Sequence, residues 1–84
     1  MYWDVTTVKP VNYLTLKVTY TDGLQGTVCI KPSFLTGVFE SIKDESYFNK
    51  VYVEHGVVTW PGELDLAPDA MHTEIKKHGS YVLE

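Results

Sequence analysis

Two runs of alternating residues, set either side of Thr21-Asp22-Gly23, constrain this chain more than any other feature. Leu14, Leu16, Val18 and Tyr20 alternate with Thr15, Lys17 and Thr19. Leu24, Val28 and Ile30 then alternate with Gln25, Thr27, Cys29 and Lys31, with Gly26 in the apolar register. A period of two means strands with one apolar and one wet face. A two-residue Asp22-Gly23 turn would set Val18 against Thr27 and mix the faces. A three-residue loop, Thr21-Asp22-Gly23, instead pairs Tyr20 with Leu24, Leu16 with Val28 and Leu14 with Ile30. That register is expected, because a slip of one residue inverts every side chain. It also gives Gly23 the left-handed position such loops need.

The same logic yields a second hairpin. His55-Gly56 as a two-residue turn pairs Val53 with Val58 and Val51 with Trp60. Before the first hairpin, Val5 to Lys9 forms a short edge-like strand expected to end at Pro10. Between the hairpins, Phe34, Leu35, Val38, Phe39 and Ile42 recur at steps of three and four after Pro32-Ser33. This predicts a short helix or a pair of helical turns, weakened by Gly37. Lys43-Asp44-Glu45-Ser46 is a polar break, beyond which Tyr47 and Phe48 cap the core. Trp60-Pro61-Gly62 ends the last strand of the hairpin. A C-terminal helix starts over Asp65-Leu66-Ala67-Pro68-Asp69, with Ala70, Met71 and Ile75 inward and Lys76, Lys77 and His78 at its negative end, and stops near Gly79. Residues 81–84 are expected either loose or docked as a strand.

These elements make an α+β fold: a small antiparallel sheet of two hairpins plus an N-terminal strand, with a central short helix and a C-terminal helix. With 84 residues and no repeat, linker or low-complexity stretch, the chain is read as one domain over residues 1–84. The seven cations are all Lys, and the formal charge is −4. Without arginine forks or a basic patch, a direct nucleic-acid role is not expected. No apolar run reaches a membrane span, and Met1-Tyr2-Trp3-Asp4 does not read as a signal peptide. The expected compartment is the cytoplasm.

Several blocks resemble the bacterial family catalogued as domain of unknown function 2442. They are the hairpin around Asp22-Gly23 after Trp3 and Val5 to Pro10; Phe34-Leu35, Gly37-Val38-Phe39, Ile42, Asp44, Phe48 and Val51-Tyr52-Val53; and Thr59-Trp60-Pro61-Gly62 followed by Asp65-Leu66 and Pro68-Asp69. They cover roughly residues 3 to 71. The resemblance implies an antiparallel sheet packed by helices, and an association with toxin–antitoxin gene pairs and with relatives that append a DNA-binding helical domain. It implies no catalytic residues. Glu63-Leu64 departs from the family's tight Asn-Gly-type turn, and the segment from His72 to Glu84 is longer than the family core needs.

Candidate chemistry is sparse. Cys29 is the single cysteine, and one thiol makes neither an internal disulfide nor a cysteine-rich zinc site. Lys31 shares its face, but nothing places a histidine there to activate it. His72 and His78 lack a helical ligand spacing. Asp65, Asp69 and His72, spaced by four and three, give the rival reading: a small metal-dependent or thiol hydrolase. The ordinary reading makes these acids helix-terminal charges and leaves His72 exposed. Asp44-Glu45 and Glu63/Asp65 read as solvated loop charges, and the glycines form no phosphate loop. No catalytic residue and no cofactor is expected. Tyr2, Trp3, Tyr13, Tyr52 and Tyr81 cannot all be buried in so small a domain. Exposed aromatics and an open sheet edge point to binding of a protein partner or of another copy of the chain.

Overall fold

The structure, a computed structural model, describes residues 3–62 and 64–84. Seven strands and two α-helices follow one another in it: β1 (Val5–Asn12), β2 (Thr15–Tyr20), β3 (Gln25–Ile30), α1 (Glu45–Phe48), β4 (Tyr52–Glu54), β5 (Val57–Trp60), β6 (Leu64–Asp65), α2 (Pro68–His78) and β7 (Ser80–Leu83). Two 3-10 turns, Pro32–Phe34 and Gly37–Lys43, bridge β3 and α1. The protein is an α+β fold with two sheets. One has the order β1-β2-β3-β7, and the other β4-β5-β6.

The first hairpin has the expected register. Thr15 faces Cys29, Leu16 faces Val28, Lys17 faces Thr27 and Thr19 faces Gln25. Gly23 sits at φ 89° and donates its N–H to the Tyr20 carbonyl. Opposite Val18 lies Gly26, and the reason for a glycine there is packing. A Cβ at that position would meet Ile75 Cγ2 of α2 at 2.4 Å. The missing side chain lets the helix rest directly on β3. The second hairpin also matches, with Val53 opposite Val58 and both His55 (φ 52°) and Gly56 (φ 78°) left-handed, as a two-residue turn demands.

Other expectations need correction. β1 runs through Pro10 to Asn12 instead of stopping. Proline is tolerated because β1 is an edge strand, and the ladder is irregular between Pro10 and Asn12. Leu14 is a turn residue at φ 55°, although its buried side chain and carbonyl still serve the core and Ile30. Asp44 does not merely break the chain: its carboxylate accepts the Ser46 N–H and caps α1. The two hairpins lie in separate sheets, with the β4–β5 hairpin beside β1 and the Val5 N–H donating to Gly56 O. Asp65 belongs to β6, and α2 begins at Pro68.

On α2 the phase also differs. Met71, His72 and Ile75 are buried, whereas Ala70 is exposed. The helix ends at Gly79, φ 80°, as expected. The chain beyond it then docks parallel to β3, pairing Thr27 with Ser80 and Ile30 with Leu83. A parallel partner requires a long crossover, which the middle of the chain and α2 supply. Leu16, Val18, Val28, Leu35, Ile42, Phe48, Val58, Trp60 and Met71 are wholly buried in one hydrophobic cluster. Trp60 Nε1–H donates to the Phe48 carbonyl inside it, at 3.0 Å.

Candidate functional site

The turn between β1 and β2 is held from several sides. Asn12 Oδ1 accepts the Tyr13 N–H at 3.0 Å. Tyr13 Oη donates to the Lys43 carbonyl at 2.6 Å, and the ring meets Phe48 edge-on at 6.2 Å between centroids. Leu14 next to it keeps a left-handed backbone that costs a bulky residue about 1–2 kcal/mol, so its burial must hold it there.

Although anchored at both ends, Tyr13 remains 46% exposed, and Val11 is 53% exposed. With Pro10, Asn12, Glu45 and Asn49 they line a concavity of about 240 Å³. Val11 and Tyr13 stand on this turn beside Asn12 and Asn49 with the Glu45 carboxylate at the rim, so the concavity is lined by polar as well as apolar groups. The Tyr13 ring, held through its backbone N–H and its Oη, has little conformational freedom left to lose. Tyr52, 40% exposed, stands on β4, the strand that packs beside β1.

The remaining aromatics of the sequence-derived set are placed differently. Trp3 and Tyr81 are half-buried and packed on the core. Tyr2 lies outside the described residues. Val11 is not one of the aromatics that the sequence singles out. Its signal was an apolar residue just past a proline, two positions from Tyr13.

His72 is buried, and its Nε2 lies 2.8 Å from Asp22 Oδ2 in the loop between β2 and β3. Its ring also packs edge-on against Tyr20 at 4.7 Å. Tyr20 Oη donates to the Pro68 carbonyl, and burial, followed by the Asp22 charge, pushes that hydroxyl well above its ordinary range. The Asp22 carboxyl is held below its usual range, first by the Leu24 N–H and then by His72. Asp65 and Asp69 are exposed, and Asp69 Oδ1 accepts the Ala70 N–H. No group of three or more His, Cys, Asp or Glu side chains fit to hold a metal occurs among the described residues. Cys29 is a half-buried free thiol on the outer face of the first sheet, between Thr15 and Val82. Glu63 lies outside the described residues, so the Glu63/Asp65 pair and the Glu63-Leu64 departure do too. No helix among the described residues is long and apolar enough to cross a membrane.

Fold and surface together define a small α+β domain built on a sheet with one core face and one open face. The chain belongs to the family described as protein of unknown function (DUF2442), which matches residues 5–77. No significant match was found among curated proteins or among solved structures.

Proposed function

We propose that this chain is a non-enzymatic protein-interaction module of the cytoplasm, the antitoxin-like or regulatory member of a two-gene pair, which acts by occluding its partner. The observation that carries this is the anchored yet exposed Val11–Tyr13 turn with its concavity. A partner presenting an apolar side chain flanked by Lys or Arg suits the surface, with Glu45 at the rim and a formal charge of −4 behind it.

The experiment is co-expression with the product of the adjacent gene, followed by affinity measurement on the purified pair. Val11→Asp is expected to weaken the complex by roughly a hundredfold, the scale of one central contact. Tyr52→Ala is expected to weaken it less. Full affinity in both Val11→Asp and Tyr13→Ala would remove the proposal's support.

A further inference from the structure

The open face of the four-stranded sheet carries three rows of side chains, set by the strand registers. In the middle row Lys9 lies opposite Lys17, Lys17 opposite Thr27 and Thr27 opposite Ser80. On one side of it Thr7 and Thr19 lead to Gln25, and on the other Thr15 and Cys29 lead to Val82. Each row holds exposed residues, whereas the alternate positions Leu16, Val18, Val28 and Leu83 are buried on the reverse face.

Lys9 and Lys17 stand out. Directly paired residues on neighbouring strands hold their Cβ atoms about 5 Å apart, and like charges so placed are destabilising. The chain has eleven acids to seven lysines, yet no acid stands in these rows. Glu54, on the strand beside β1, and Glu84, past the end of β7, belong to the margins. Among the described residues no carboxylate comes within ion-pair distance of either lysine. The free protein therefore holds a repulsion that a shared anion relieves.

We infer that this face binds an acidic segment of a partner protein. Its carboxylates sit between Lys9 and Lys17 and accept hydrogen bonds from the hydroxyls of Thr27 and Ser80 along the same row. A second copy laid on the same face brings no counter-charge, since the rows hold no carboxylate. Nucleic acid suits the face less well. No aromatic side chain stands on the rows to stack a base, two cations neutralise few phosphates, and the chain has no Arg. This is a second surface, opposite in charge to the rim of the Val11–Tyr13 concavity. Its assay needs no native partner, so the two proposals fail independently.

The test titrates the full chain with octaglutamate, capped at both ends, and follows backbone amide NMR shifts. The shifts are expected on the three rows, with a dissociation constant on the order of 1 mM at low ionic strength that weakens as salt is added. Lys9→Gln and Lys17→Gln should each weaken binding about threefold, and together about tenfold. Each should also raise the urea midpoint of the free protein, because the like-charge pair is gone. Lys76→Gln with Lys77→Gln removes the same charge from α2 and should leave the affinity unchanged. Cys29, beside Thr15 on this face, reports coverage: octaglutamate should slow its alkylation by iodoacetamide. Absence of shifts on these rows, an equal loss in the Lys76/Lys77 variant, or a lower urea midpoint in both single lysine variants overturns the inference. So does tighter binding of octathymidylate or of phosphatidylglycerol vesicles than of octaglutamate, which assigns the face to another class of partner.

Discussion

Asp22 and His72 lie fifty residues apart in the chain and are joined by a 2.8 Å hydrogen bond that ties the β2–β3 loop to α2. His72 is buried, so its ring fills core space as well as holding the loop. His72→Ala is expected to destabilise the protein by about 2 kcal/mol, through the cavity left by a buried ring, while Asp22 keeps its bond from the Leu24 N–H. Urea unfolding followed by the fluorescence of Trp3 and Trp60 measures this. His72→Gln should recover part of the loss by keeping a hydrogen-bonding group near Asp22.

Acid sensitivity follows from two carboxylates. Asp22 is held below its usual range first by the Leu24 N–H and then by His72, and Asp44 first by the Ser46 hydroxyl and then by the Ser46 N–H. A carboxyl whose folded-state pKa is depressed contributes stability above its unfolded value, and loses it as pH falls through the folded value. The urea midpoint should therefore drop below about pH 4. The drop should be shallower in Asp22→Asn and Asp44→Asn.

At the alkaline end Tyr20 acts with the opposite sign. Its folded-state pKa is raised by burial, so its contribution is complete at neutral pH and is lost as pH climbs beyond about 10, the ordinary phenol value. In Tyr20→Phe the stability profile should flatten above that pH. An unchanged alkaline limb would show that other groups govern it.

Gly26 and Ile75 compete for one space. Gly26→Ala puts a methyl 2.4 Å from Ile75 Cγ2 and 3.0 Å from the Gly79 carbonyl, a backbone atom that yields poorly. The expected cost is about 1–3 kcal/mol. Ile75→Ala alone opens a cavity, but combined with Gly26→Ala it should cost less than the sum of the two. The coupling is measured by a double-mutant cycle of unfolding free energies.

The β4–β5 turn distinguishes its two residues. His55 at φ 52° should accept asparagine with a change of only a few tenths of a kcal/mol, since asparagine visits this region readily, whereas His55→Val should cost about 1–2 kcal/mol. Gly56→Ala should cost more than His55→Asn, because its Cβ would sit 2.8 Å from the Asp4 side chain. Thermal melting of the three variants ranks them.

Both hairpins could be read from the sequence because register is a local property. Leu16 opposite Val28 and Val53 opposite Val58 follow from alternation and loop length alone. The helix stop at Gly79 is local in the same sense. The pairing of β7 with β3 and the seating of His72 against Tyr20 are not, since each joins segments from opposite ends of the chain. A polar residue between Met71 and Thr73 reads as solvent-facing until the loop carrying Asp22 is placed against it. Of the aromatic set, Tyr13 and Tyr52 were legible as surface, while Trp3 and Tyr81 packed inward because α+β layering gave them apolar neighbours.

The β3–β7 pairing bears on how the protein is made. The outer neighbour of β3 is encoded about fifty residues downstream, so closing that ladder carries a long-loop entropy cost and comes late. During synthesis β3 is a bare margin waiting for its mate. In crowded polysomes the strand that arrives first can belong to a neighbouring nascent chain, which makes this seam the place where exchanged, entangled products would form.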